Sequence, residues 1–119
     1  VLEQMQAFNV TQQRTLARVL TVADSFFRSL IGLMGRPGLE AGHGLWIVPC
    51  QSVHTFWMRF PIDVVFLDQH HTVIHLVESL RPFRISKHLS KASSVIELPV
   101  GAIRATGTQM GDEIQIAER

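Results

Sequence analysis

A thiol, an imidazole and a carboxylate lie close together in the middle of this sequence, as Cys50, His54 and Asp63. A nucleophilic enzyme needs these types as nucleophile, base and orienting acid. No recognised nucleophile motif surrounds Cys50, which follows Pro49, and such a cysteine is more often a small buried hydrophobic residue. The sequence therefore favours a protein that is not an enzyme. The alternative is a small hydrolase or transferase that uses Cys50 or Asp63.

Asp63 is the most informative polar residue, because it is the only polar side chain in the apolar run 62–67. A buried carboxylate without partners is too costly to keep. We therefore expect Asp63 to be mostly buried and to accept at least two hydrogen bonds, from backbone amides or from Arg59 or His54. This structural role is favoured over ligand binding or proton transfer, which stay open as alternatives.

An apolar binding cleft is predicted beside Trp57. On a strand, Trp57 and Met58 point to opposite faces, so one of them lines a cleft unless both faces are covered by core. The predicted ligand-binding residues are His54, Trp57, Met58, Arg59 and Asp63. We interpret the chain as a non-catalytic binding or accessory module, whose partner is an unidentified small molecule or protein.

Two further groups of residues suggest ligands only weakly. His71 and His75 would lie about 13 Å apart on an extended strand, too far to share a zinc ion that holds its ligands at about 2 Å. We expect no metal and no cofactor. The stretch 81–91 is basic and has no acidic residue, so it suits a phosphate or an acidic partner. No glycine-rich phosphate loop accompanies it, and a solvated loop is the favoured interpretation.

The composition excludes several classes of protein. Eleven Lys and Arg residues against ten Asp and Glu give a net charge of +1, which argues against a dedicated nucleic-acid binder. No apolar run approaches the roughly 20 residues that cross a bilayer. One cysteine fits a reducing compartment, so we expect a soluble cytoplasmic protein. The chain begins at Val1, and a removed leader remains open, as does the oligomeric state.

The periodicity of apolar residues predicts a mainly β fold. Strands are predicted at residues 7–10, 15–23, 45–48, 53–58, 62–67, 72–77, 94–98 and 113–117. One short α-helix is predicted at about residues 25–34, with Gly35 in the left-handed conformation at its end and Pro37 beyond. With 119 residues, of which 46% are hydrophobic, the chain is expected to form a single domain over residues 1–119, a compact β-sandwich or barrel-like fold.

Several clusters together resemble one family. They are Gly32-Leu33-Met34-Gly35-Arg36, Gly44-Leu45-Trp46-Ile47-Val48, His54-Thr55-Phe56-Trp57-Met58-Arg59-Phe60-Pro61-Ile62-Asp63-Val64-Val65-Phe66, Glu97-Leu98-Pro99-Val100-Gly101 and Gly111-Asp112. In this order they resemble the bacterial and archaeal domain-of-unknown-function family 192, from about residue 23 to residue 116. The resemblance implies a compact, mainly β fold with a short helix and no established activity. Many members have Lys-Asn-Thr after Trp-Met, whereas Arg59 and Phe60 follow here.

Overall fold

The described residues form one curled sheet with a single short helix. The computed structural model describes residues 4–23, 38–56 and 58–119. Their elements are β1 (Gln4–Asn9), β2 (Arg14–Ala23), β3 (His43–Ile47), β4 (Ile62–Leu67), β5 (Val73–Leu80), β6 (Ser94–Leu98), α1 (Ala102–Thr106) and β7 (Ile114–Glu118). The strand order is β5-β4-β6-β3-β2-β1-β7. The predicted fold class, a compact and mainly β domain, is confirmed.

The sheet is curled into a half-barrel because its two edge strands approach each other at one end. A bridge joins Thr72 to Glu113. The Val73 amide donates to the Asp112 carbonyl (2.8 Å), and the Ile114 amide donates to the His71 carbonyl (3.0 Å). Strand pairs are antiparallel apart from β2 with β3. The curl gives the sheet an inner and an outer face, and each needs its own apolar layer.

Each face carries one apolar layer. The inner layer is enclosed by the strands and α1 and consists of Ala7, Leu16, Ala17, Leu20, Val65, Leu67, Val73, Ile96, Leu98, Ile103 and Ile114. The outer layer joins one face of the sheet to loop residues and consists of Ala23, Ile47, Cys50, Val53, Met58, Phe60, Ile62, Val64, Phe66, Ala92 and Val95. Strand β4 contributes to both layers, and all six of its residues are buried. This confirms the predicted central strand with both faces covered.

The helix seen here is not the predicted one. The predicted helix at residues 25–34 and its cap at Gly35 lie outside the described residues. Helix α1 was not predicted, because five residues are too few for a helical periodicity to show. Glycines in the left-handed region delimit it, with φ 96° at Gly101 and φ 66° at Gly107.

The predicted strand at residues 53–58 is wrong for the part that the structure describes. Residues 53–56 and 58 are irregular, with one isolated bridge from His54 to Ile85. Val53 and Met58 pack into the outer layer. Their packing produces a strand-like alternation of apolar residues, although these residues belong to no strand. In the opposite direction, the predicted strand 72–77 is longer than expected and continues to Leu80.

Within residues 4–23, 38–56 and 58–119, no helix is long and apolar enough to cross a membrane.

Candidate functional site

Two irregular segments on the outer side of the sheet are hydrogen-bonded to each other. We call them the paired loops, residues 51–56, 58–60 and 81–91. Thr55 is their main junction: its amide donates to the Arg84 carbonyl (2.9 Å), and its carbonyl accepts from the Phe83 amide (3.0 Å). The Thr55 hydroxyl accepts from the Arg84 amide (3.0 Å). These bonds hold the two segments in a fixed relation, so their side chains form one surface.

An aromatic row runs across the paired loops and ends at solvent. The ring centroids of His54 and Phe56 are 5.0 Å apart, and those of Phe56 and Phe83 are 6.4 Å apart. Phe83 is 56% exposed and Ile85 is 67% exposed. Single exposed apolar residues need no explanation, but two large ones beside an aromatic row form a patch of the kind that marks an interaction site.

The paired loops also concentrate positive charge. They contain five of the eleven Lys and Arg residues and none of the ten Asp and Glu residues. These cations are Arg59, Arg81, Arg84, Lys87 and Lys91, all exposed. None of them forms a salt bridge with another residue in the described part of the chain, in contrast to Arg104, which pairs with Glu78. The positive field of the surface is therefore not neutralised locally.

The five residues predicted as ligand contacts are distributed over two places. His54 and Arg59 lie in the paired loops, where Arg59 is exposed and His54 is partly buried. Met58 is buried beneath them in the outer layer. Asp63 lies on β4 and does not join this surface, and Trp57 lies outside the described residues. The structure therefore places His54 and Arg59 on one surface and Met58 and Asp63 inside the fold.

Asp63 is held entirely by backbone amides. Its Oδ1 accepts a hydrogen bond from the Ser79 amide (2.9 Å), and its Oδ2 accepts from the amides of Gly101 (3.1 Å) and Ile103 (3.0 Å). The side chain is fully buried. The prediction of a buried Asp63 with at least two hydrogen bonds is confirmed, with amides as the donors in place of Arg59 or His54. The carboxylate joins the end of β5 and the start of α1 to β4.

Glu97 is a second buried carboxyl group, one that was not predicted as a site residue. It lies on β6 opposite Leu45 and Val64 and is 1% exposed. Neither of its carboxyl oxygens has a hydrogen-bond partner among the described groups. Burial raises the pKa of Glu97 to about 8, so the group is mostly protonated at neutral pH. The available signal was a single acidic residue within the otherwise apolar run 95–98.

Cys50 lies next to Glu97 in the outer layer and has the environment of a core residue. Its Sγ donates to the Ser52 carbonyl (3.1 Å). Burial raises the pKa of Cys50, and the charge of Glu97 acts in the same direction when that group is ionised. A thiol with a raised pKa is mostly protonated at neutral pH, and a protonated thiol is a poor nucleophile.

A third buried carboxylate, Asp112, ties together the turns at the other end of the inner layer. Its Oδ2 accepts hydrogen bonds from the side chains of Asn9 (3.0 Å) and Gln12 (3.1 Å) and from the Gln109 amide (2.9 Å). Burial acts to raise the pKa of Asp112, but these hydrogen bonds hold it below its ordinary value. The polar groups of this cluster hydrogen-bond to one another and hold the turns together, so its role is structural.

The chain is similar in sequence to the proteins of one family. The model of the family described as "Uncharacterized ACR, COG1430" (DUF192) matches residues 8–116. A UPF0127 protein of Pyrococcus abyssi is 37% identical over 79% of this chain and 82% of its own length. A UPF0127 protein of Thermococcus sibiricus is 34% identical over 89% of this chain and 71% of its own length.

Two solved structures have a similar fold. One is a protein of Sinorhizobium meliloti described as a candidate transcription regulator, with a TM-score of 0.77 and 21% identity over 97% of this chain and 93% of that chain. The other is a protein of unknown function from Novosphingobium aromaticivorans, with a TM-score of 0.77 and 17% identity over 96% of this chain and 84% of that chain. At these identities the likeness shows a shared fold and nothing about function.

Proposed function

The chain belongs to the DUF192 family, whose matched relatives are uncharacterised, and we propose from its own geometry that it is a non-catalytic binding module. Its partner is an anion with an apolar portion, and the binding surface is the paired loops. The single observation that carries the proposal is the combination of exposed Phe83 and Ile85 with five exposed cations and no acidic residue in the same loops.

Charge and apolar area on the same surface explain why the ligand needs both properties. Arg59, Arg84 and Lys87 attract an anion, but exposed cations alone give weak contacts in water. Apolar contact with Phe83 and Ile85 removes water from around the charges and strengthens their interaction with the ligand. Because the loops are bonded to each other through Thr55, little of this binding free energy is spent on ordering them.

The alternative function, a small hydrolase or transferase, receives less support from the same geometry. Cys50 is buried and its pKa is raised, whereas a nucleophilic thiol needs a lowered pKa and access to substrate. Asp63 is fully buried and accepts three hydrogen bonds from amides, which favours a structural role. Neither candidate nucleophile lies on the exposed surface of the paired loops.

The proposal is tested with 8-anilinonaphthalene-1-sulfonate, an aromatic anion whose fluorescence rises on apolar contact. The protein is titrated with the dye as wild type, as Arg84→Glu/Lys87→Glu and as Phe83→Ser. The matched controls are Arg14→Glu/Arg18→Glu, which changes the net charge equally, and Met110→Ser, which removes an apolar side chain that is 63% exposed. Circular dichroism confirms that each variant is folded.

We expect affinity for the dye to fall at least about tenfold in Arg84→Glu/Lys87→Glu, since each reversed charge removes an attraction and adds a repulsion. Phe83→Ser should weaken binding by several-fold, from the loss of roughly 1 kcal/mol or more of apolar contact. The two controls should bind as wild type does. Equal loss in the controls and the paired-loop variants would contradict a site on the paired loops.

The expected cytoplasmic location belongs to the same proposal. A free Cys50 in the core supports a reducing compartment, since thiols persist there without pairing. Fractionation of cells that express the native gene, with antibody detection of the protein, tests it. Recovery in an exported fraction would contradict it.

A further inference from the structure

We infer that the anionic partner of the paired loops is the surface of a lipid bilayer that contains anionic lipids. Phe83 and Ile85 enter the interfacial region, while Arg84 and Lys87 contact lipid phosphates from either side. The inference rests on the proposed function, because it names the partner of that same surface. Binding is peripheral, since it uses loop residues and no spanning segment.

The first observation is that the apolar end of the paired loops is preformed. Phe83 has φ 61°, a backbone conformation that aromatic residues rarely adopt. Its amide donates to the Thr55 carbonyl (3.0 Å), and the amide of the next residue, Arg84, donates to the Thr55 hydroxyl (3.0 Å). An exposed aromatic side chain is thus held at a fixed turn. Amphipathic surfaces that bind membranes insert such side chains at the boundary of headgroups and acyl chains.

The second observation is the separation of charge between the paired loops and the rest of the chain. Outside the paired loops, six Lys and Arg residues stand against all ten Asp and Glu residues. The paired loops therefore carry a net charge of +5, whereas the remainder of the chain carries −3, since Glu97 keeps its proton at neutral pH. An anionic bilayer attracts the first and repels the second, so it orients the protein with Phe83 and Ile85 toward the lipid.

The third observation favours a bilayer over an acidic peptide. A peptide that adds to a sheet needs a free strand edge, and one that binds a groove needs a concave apolar seat. The amides and carbonyls at the centre of the paired loops bond to each other, with Thr55 to Arg84 at 2.9 Å and Ser86 to Val53 at 2.8 Å. Phe83 and Ile85 are more than half exposed, as side chains that enter a lipid interface must be. A lipid surface needs neither an edge nor a groove.

The test is co-sedimentation of the intact protein with vesicles made of phosphatidylcholine and phosphatidylglycerol in equal amounts. Vesicles of phosphatidylcholine alone are the lipid control. Soluble polyglutamate is the second probe, because it offers negative charge without a bilayer. The variants are Arg84→Glu/Lys87→Glu and Phe83→Ser/Ile85→Ser, with Arg14→Glu/Arg18→Glu and Met110→Ser as matched controls. Circular dichroism checks folding throughout.

We expect sedimentation with the mixed vesicles, little with phosphatidylcholine alone, and a decrease as salt is raised. Arg84→Glu/Lys87→Glu should lower the partition coefficient at least about tenfold, and Phe83→Ser/Ile85→Ser about fivefold or more. The controls should sediment as wild type does.

The outcomes separate the inference from the proposed function. Binding of polyglutamate or of the aromatic dye without sedimentation on mixed vesicles would overturn the bilayer as partner and leave the proposed function standing. Sedimentation that Phe83→Ser/Ile85→Ser does not change would overturn insertion of the apolar side chains. A protein that binds none of the three probes (mixed vesicles, polyglutamate and the aromatic dye) would overturn both proposals.

Discussion

Two fully buried carboxyl groups on neighbouring strands differ in their hydrogen bonding. They are Asp63 of β4 and Glu97 of β6. Asp63 faces the inner layer and accepts three hydrogen bonds from backbone amides. Glu97 faces the outer layer beside Cys50 and has no hydrogen-bond partner among the described groups. Burial is the same, so the supply of donors decides what each group does to the fold.

The difference shows why burial alone does not reveal the role of a polar residue. Three amides compensate Asp63 for its lost water, so removing the carboxylate orphans those amides. Glu97 has no such compensation and avoids the cost of a buried charge by keeping its proton. Asp63 therefore stabilises the fold, whereas Glu97 lowers its stability. Glu97 lies in the outer layer, which the paired loops cover.

The largest expected effect is that of Asp63→Ala, which leaves the amides of Ser79, Gly101 and Ile103 without an acceptor. We expect a loss of about 4–6 kcal/mol in the free energy of unfolding, because hydrogen bonds to a charged group are worth roughly 1.5–3 kcal/mol each and Gly101 is exposed to water. Urea unfolding measures it. Asp63→Asn keeps one acceptor oxygen and should lose less. A loss below about 1 kcal/mol for Asp63→Ala would remove the contrast with Glu97.

The second prediction concerns pH. Because the folded-state pKa of Glu97 is about 8, above the ordinary 4.5, the folded protein holds a proton that the unfolded chain releases. The part of the stability that depends on Glu97 is highest below pH 4.5, where the group is protonated in both states, and it falls as pH rises from 4.5 through 8. The loss amounts to as much as about 4–5 kcal/mol.

The measurement is the difference in unfolding free energy between wild type and Glu97→Gln across this pH range. Gln has a similar size and does not titrate, so the ionisation of the other groups cancels in the difference. As pH rises, wild type should lose stability relative to Glu97→Gln by up to about 1.4 kcal/mol per pH unit. A difference in unfolding free energy that does not change with pH would mean that Glu97 has a hydrogen-bond partner in solution, as Asp63 does.

The third prediction is that Glu97→Met stabilises the protein at pH 7 by about 1–3 kcal/mol. Met has a similar volume and replaces a buried polar group that has no hydrogen bond, so the desolvation cost of that group disappears. Thermal and urea unfolding provide the measurement. A destabilised Glu97→Met would show that the carboxyl group is bonded in solution and contributes to the fold as Asp63 does.

The smallest effect is expected on Cys50, which reports on the charge of its neighbour Glu97. Alkylation of Cys50 by iodoacetamide at pH 7 should be at least about tenfold slower than that of an exposed cysteine, because the thiol is buried and its pKa is raised. Glu97→Met should change the rate little at pH 7 and increase it by a few-fold above pH 8, where ionised Glu97 opposes the thiolate. Rapid alkylation at neutral pH would favour the enzymatic alternative.

The pattern of residues 62–67 was enough to predict that β4 is covered on both faces and that Asp63 is buried with hydrogen-bond partners. Six consecutive residues with one polar side chain leave no face for water, and a carboxylate in that setting requires donors. The mainly β fold followed from the short apolar repeats in the same way. These inferences succeed because they depend on local chemistry.

Which groups donate hydrogen bonds to Asp63, and the lack of a described donor for Glu97, depend on the tertiary fold. The donors to Asp63 lie 16, 38 and 40 positions away along the chain, and spacing in sequence does not encode such distances. Residues 53–58 resembled a strand because packing on a sheet and pairing within one leave the same apolar alternation. The paired loops come together because β4 and β5 pair antiparallel with Ile62 opposite Leu80, so the segment before β4 lies beside the segment after β5.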